Sequence, residues 1–346
     1  MPMTDPDTQP ARKKKRLGDI LKMVVFLGIG IFFIYWFLLK LEPEQKAAIW
    51  QSFVGADYAW VAVALFVCLL SHLVRALRWR LLFRPIGYFP NVNNTFGSVI
   101  VAYLANLAFP RAGEVVRCAT LRTSEKIPIE KSLGTVVTER LVDTLAFVIV
   151  VVIGMLAMFG QAKDWLYNML SEKYDNLPNM SVIISVLASM LLLAFIAYKL
   201  LWKRLLRFAF FKRIDDMIHG MVDGLKSIFY LGGRRTVLFI VYSVVIYLLY
   251  IIGGLVIFQA FGETHGLGFR AAFVVYLFGT VGMTFSQGGI GVYPVLVQVA
   301  LGIYGISMEV GTACGWLLWG TQQAAVLVVG AAYLIYFSTK KSKKYS

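Results

Sequence analysis

Three groups of residues in this chain combine charge or backbone freedom with apolar surroundings, and each could do chemistry there. Arg111, Glu114 and Arg117 follow Pro110 at spacings of three, so a helix that starts at Pro110 puts them on one face. Proline suits that start, because the amide hydrogen it lacks has no intrahelical partner in a first turn. The free N–H groups of the turn and the Arg111 guanidinium then offer a phosphate two kinds of donor. The alternative reading of the same residues is a solvated interfacial turn.

Glu139, Arg140 and Asp143 lie within Thr138–Asp143, in the cytoplasmic half of a long apolar stretch. A charge at the bilayer centre costs at least about 2.5 kcal/mol, so such groups persist where they pair or line a cavity. One carboxylate is expected to offset Arg140 within the helix. The other is expected either to pair with Arg111 or Arg117 across a cavity or to titrate as a proton-coupling group, unless the set is only an ion-pair network that locks the helix. The third group, Ser286, Gln287, Gly288, Gly289 and Gly291, carries no charge. Its glycines permit positive φ and close backbone approach, and a half-helix starting near Pro294 aims its positive end at the break. Backbone N–H groups there could hold an anionic head group, with Ser286 and Gln287 adding side-chain donors; a hinge is the plainer alternative. The motif lacks the Lys and Ser or Thr of a phosphate loop and the strand context of a dinucleotide fold. His72, His219 and His265 are scattered, and Cys68, Cys118 and Cys314 are too widely spaced for a metal site or a disulfide framework. No cofactor is expected.

The elements that must position these residues are membrane helices. The chain of 346 residues is 59% hydrophobic and 15% charged, with mean hydropathy +0.71, against roughly a quarter charged in soluble domains. The fold expected is all-α, a polytopic helical membrane protein. The formal charge of +15 sits in clusters beside apolar spans, which points to topology and away from nucleic acid. Arg12–Arg16 places the N-terminus in the cytoplasm, and the span Leu21–Leu39 has no cleavage site after it, so it is expected to stay as an anchor. A second span, Ala59–Val74, leads inward to Arg75, Arg78, Arg80 and Arg84. Asn94–Phe109 is too short for the roughly 20 residues of a crossing, and basic residues follow it, so a hairpin re-entering from the cytoplasm is expected. Further spans are Leu133–Phe159, Met180–Leu201, Val237–Phe261 and Gly311–Phe337, with a second break in Phe269–Ile303.

This gives about six full spans plus two re-entrant broken hairpins, one from each side, or eight spans if both cross. Both termini are cytoplasmic, with basic tails at 1–20 and 338–346 bounding a transmembrane domain over 21–337. Within it, 202–235 alternates apolar and basic residues and is expected to lie as an amphipathic helix on the inner leaflet, against anionic lipid head groups. Helices broken at membrane depth point to a binding site, because the freed backbone groups need protein or a water-filled cavity to satisfy them. Gly311–Gly315 has the small-residue spacing for close helix packing within the chain.

The order of Arg75-Ala76-Leu77-Arg78-Trp79, Asn106–Glu114, Thr138–Asp143 and Gly288-Gly289-Ile290-Gly291 resembles the lysylphosphatidylglycerol synthase transmembrane, or flippase-like, family, which includes UPF0104-type membrane proteins. The resemblance covers nearly the whole chain. It implies a bacterial-type plasma membrane protein that moves lipids between leaflets and has no separate soluble synthase domain. It carries Arg111, Glu114, Glu139, Arg140 and Asp143 over as matching motif positions. The resemblance implies a glutamate three residues after the last glycine of the second motif, where this chain has Pro294, so a polar contact is not expected at that position. The function expected is translocation of an anionic or phosphate-bearing lipid through a polar cavity between the two breaks, without enzymatic activity. The alternatives are a membrane-embedded transferase acting on a lipid-linked substrate, and a lipid-binding component that transports nothing.

Overall fold

In the computed structural model the chain is all-α, with no strand among the described residues, as a polytopic helical membrane protein requires. The structure describes residues 43–109, 112–171 and 231–342, with isolated positions at Tyr35, Leu39, Ser185, Ser189 and Leu193. The expected spans Leu21–Leu39 and Met180–Leu201, the N-terminal tail and most of the 202–235 segment lie outside the described residues. The described helices are α1 (Pro43–Val54), α2 (Tyr58–Phe83), α3 (Val92–Ala108), α4 (Ala112–Glu125), α5 (Ile129–Ser171), α6 (Gly233–Phe258), α7 (Phe269–Phe285), α8 (Val292–Gly302) and α9 (Met308–Ser342). Three helical stretches among them, Tyr58–Ile86, Gly233–Phe258 and Met308–Thr339, are long and apolar enough to cross a membrane.

The chain forms two compact units, 1–136 with 233–346, and 137–232. In the first, α2 and α6 pack along their lengths. They run antiparallel: Asp57, which caps α2 by accepting from Ala59 N at 2.9 Å, also donates its own N–H to Ala260 O, just past the end of α6, at 3.0 Å. Both expected breaks are helical hairpins folded back on themselves. In the first, Gly113 on α4 lies against Ala102 and Asn106 on α3; in the second, Gly282 on α7 lies against Tyr293 on α8.

The hairpins are rooted at opposite ends of the α2–α6 pair. Glu125 at the end of α4 accepts from Asn91 N and Asn94 Nδ2 at the start of α3, and Arg80 near the end of α2 donates to Pro90 O at 2.7 Å. At the other end, Glu263 follows α6 and accepts at 2.8 Å from Ser307 Oγ, which follows α8. Between the two ends the tips meet. A Cβ built on Gly288 stands 3.3 Å from Leu107 Cδ2.

Helix α9 backs both hairpins. Near its start Gly315 is pressed on the backbone of Pro294, so the small-residue spacing at Gly311–Gly315 serves packing within the chain. Further along, Gly330 packs on Leu104 and Ile100 of α3, and Tyr333 donates its hydroxyl hydrogen to Asn93 Oδ1 at 2.6 Å. One helix therefore fixes both hairpins to a common axis.

Two helices outrun their expected spans. Helix α2 continues past Val74 through Arg75, Arg78 and Arg80 to Phe83, and α5 continues past Phe159 to Ser171. In both cases the residues beyond the apolar stretch, rich in Leu, Arg, Ala, Lys and Met, are good helix formers that hydropathy alone does not register. The 43 residues of α5 amount to a rod of roughly 64 Å.

A Cβ on Gly315 would stand 2.7 Å from Pro294 O and 2.8 Å from its Cα, whereas one on Gly320 meets nothing within 4 Å. Gly315→Val is expected to destabilise the purified protein by about 1–3 kcal/mol, as overpacking does. Gly320→Ala should stay within about 0.5 kcal/mol. Thermal melts in detergent check the pair.

Candidate functional site

The site begins with two short runs of backbone that leave their helices. At the first, Phe109 is extended (φ −137°, ψ 119°), and its N–H still reaches Ala105 O at 2.9 Å. The side chain of Asn106 reaches across the hairpin and accepts from Gly113 N at 2.7 Å, which satisfies one orphan donor of the new helix. Gly113 has no room for a side chain there, because a Cβ would collide with Ala102 O and stand 2.7 Å from the Asn106 amide. Pro110 and Arg111 lie outside the described residues.

At the second break, Gly288, Gly289 and Gly291 have φ of 61°, 77° and 74°, the left-handed region that side chains disfavour. The carbonyl of Gly288 accepts from Trp319 Nε1 at 2.7 Å and from Gln323 Nε2 at 3.3 Å, both on α9. Ser286 is buried at 3% exposure, with its Oγ 3.5 Å from Gly282 O. The side chain of Gln287 lies outside the described residues. Pro294 sits in the first turn of α8, buried against Gly315, where its missing N–H removes no intrahelical bond.

Beside the tips, α2 carries a buried polar stripe at helical spacing: Ser71, His72, Arg75, Arg78 and Trp79. Arg75 and Arg78 are 7% and 1% exposed, whereas Arg84 at the end of the same basic cluster is exposed. Arg78 Nη1 donates to Ser243 Oγ at 3.1 Å, and its guanidinium lies 5.3 Å from the Phe239 ring centre. Arg75 Nη2 donates to the Tyr250 hydroxyl at 2.8 Å. Arg117, 3% exposed, stacks 4.3 Å over the Trp79 ring, and Trp79 Nε1 is fixed by Thr135 Oγ1 at 2.9 Å. Aromatic faces and hydroxyl groups are among the partners of these buried cations, and a desolvated cation–π contact is worth about 2 kcal/mol.

Of the residues singled out in the sequence, Glu114 and Arg117 share a face of α4, half-buried and buried respectively. Glu139 is fully buried and Arg140 and Asp143 half-buried, all within one turn of α5 in the second unit. The glycine break stands against Leu107 of the first hairpin. Sequence reading missed Arg75 and Arg78 as interior groups, and missed His72 and the tyrosines near them. The signal was present: His72, Arg75 and Trp79 recur at three and four residues, a period that puts charge on a helix face rather than at its end.

The model of the family described as the lysylphosphatidylglycerol synthase TM region matches residues 20–330. A protein of Haloferax volcanii named glycosyltransferase AglD is 31% identical over 151 residues, 42% of this chain and 24% of that protein. A UPF0104 membrane protein of Methanocaldococcus jannaschii is 27% identical over 131 residues, 37% of this chain and 38% of that protein. The match thus spans about a quarter and about two fifths of the lengths of these relatives. No solved structure matches. The expectation of a chain without enzymatic activity is corrected by the relative named as a glycosyltransferase and by a family named for a synthase. That expectation leaned on the missing nucleotide motif and on the resemblance, which implied the translocating part of the family alone.

Trp319→Phe removes the 2.7 Å donor to Gly288 O while keeping most of the ring packing. It is expected to cost about 0.5–1.5 kcal/mol, the net worth of one hydrogen bond, because Gln323 still donates to the half-buried carbonyl. Gln323→Leu on that background should cost more than it does alone, because the two donors share one acceptor. Denaturation of the four proteins of the cycle measures this coupling.

Proposed function

We propose, from the premise that the chain belongs to the lysylphosphatidylglycerol synthase transmembrane family, that it is a lipid translocator carrying an anionic, phosphate-bearing head group between leaflets. The meeting of the two hairpin tips, Leu107 against Gly288, between roots at opposite ends of the bundle carries this reading. Broken helices that meet within a bundle put polar backbone at a depth where continuous helices have none to spare. A head group moves along that polar seam while its acyl chains stay in lipid.

In this reading Arg111 and Arg117 attract the phosphate and Glu114 balances their charge, while Glu139, Arg140 and Asp143 on α5 take part as a separate polar group. Ser286, Gln287 and the backbone of Gly288, Gly289 and Gly291 offer neutral donors at the second break. The protein sits in a plasma membrane with both termini cytoplasmic, its basic tails against anionic head groups. A second reading is favoured by the name of the Haloferax relative: the same module holds a lipid-linked substrate for group transfer, with the buried Glu139 or the half-buried Asp143 as base.

Leaflet exchange in liposomes that hold the purified protein separates the readings. Wild type should exchange head-group-labelled phosphatidylglycerol, and Arg111→Ala combined with Glu139→Gln should slow it by about tenfold or more, a loss of roughly 1.4 kcal/mol of barrier lowering. The variant must melt like wild type for the comparison to count. Folded wild type that exchanges no lipid would sink the translocator and leave the transferase reading.

A further inference from the structure

Four helices of the first unit converge on a group of side chains that belongs to neither break. His72 and Arg75 come from α2, Tyr103 from α3, Tyr250 from α6 and Tyr276 from α7. Arg75 Nη2 donates to Tyr250 at 2.8 Å, and its guanidinium lies 5.9 Å from the centre of the Tyr103 ring. His72 meets the same ring at 4.7 Å. Tyr250 and Tyr276 are stacked at 5.8 Å and 16°.

We propose that His72, Arg75, Tyr103, Tyr250 and Tyr276 form a binding station for the phosphate of a lipid head group, one helical turn from the first hairpin tip. For the lipid as carrier it rests on the translocator reading; for the anion site it does not. The guanidinium is held in place by a phenol on one side and a ring on another, so its fork is already oriented, and an oriented fork suits a phosphate's oxygens. His72 is 7% exposed, its Nε2 lies 3.8 Å from Cys68 Sγ, and its buried Nδ1 has no hydrogen-bond partner among the described residues. A buried polar atom in that position is costly unless something bonds it. With its proton on Nδ1, His72 donates to the same phosphate that Arg75 binds.

The distribution of exposure fits an amphiphile. The three tyrosines are half-buried while His72 and Arg75 are buried, so an entering lipid meets amphipathic rings first and the cation last. Tyr103 stands one turn before Leu107 on α3, which touches the second tip at Gly288. A head group leaving the station therefore reaches the tips within one helical turn.

Native mass spectrometry of the purified full chain tests this, with phosphatidylglycerol, diacylglycerol lacking the phosphate, and inorganic phosphate as probes. Wild type should retain phosphatidylglycerol and not diacylglycerol, and inorganic phosphate in excess should displace the lipid. Arg75→Gln and His72→Phe should each weaken retention by about tenfold, and Tyr250→Phe, which keeps the ring, by a few-fold in protein that still folds. If Arg75→Gln does not fold, the other two variants carry the test. Retention at the wild-type level in folded His72→Phe and Tyr250→Phe overturns the proposal. Binding of inorganic phosphate without the lipid overturns the lipid as carrier. Station-dependent retention in a wild type that exchanges no lipid supports the station and removes the translocator reading.

Discussion

A helix interrupted in apolar surroundings leaves N–H and C=O groups that only protein or trapped water can satisfy, and the first unit is organised around that constraint. Asn106 reaches across the first hairpin to Gly113 N, and Trp319 and Gln323 hold the carbonyl of Gly288 at the second. Both solutions depend on close backbone approach. Gly113 and Gly315 permit it by having no side chain where their neighbours would meet one. Helix α9 results from the same constraint: the residues that hold the second tip, the contact with α8 and the contacts with α3 all lie along it.

The chain order repeats itself. A 26-residue helix, a hairpin opening with a 17-residue helix and then a long helix occur as α2 to α5 and again as α6 to α9. Because α2 and α6 run antiparallel, the second hairpin enters from the opposite end to the first, and the tips can only meet between the ends. The sequences of the two halves show no convincing similarity, so the repeat is one of architecture. The first break is held by the contact of Asn106 with Gly113, the second by glycines without charge. The two tips therefore differ in chemistry as well as in direction.

Buried arginine is the second organising cost. Arg75, Arg78 and Arg117 stand in the interior of the first unit, each against an aromatic ring. Such contacts hold helices together across the interior of the first unit. The family is named for a synthase and one partial relative for glycosyl transfer.

Composition and period alone determined the all-α membrane class, the positions of both breaks and the glycines of the second, because hydropathy and φ preference are local properties of the chain. The same local signals placed the ends of α2 and α5 too early, since a helix continues for as long as its residues favour it, whether or not they are apolar. What only the tertiary structure decided is which side chains face one another. Arg75 and Arg78 read as membrane-edge charges in sequence. They become interior groups because α6 brings Tyr250 and Ser243 to them across more than 160 residues of chain. Trp319 and Gln323 carry no mark of their task in sequence, because a hydrogen bond from one helix to a glycine carbonyl on another exists only once the two are packed.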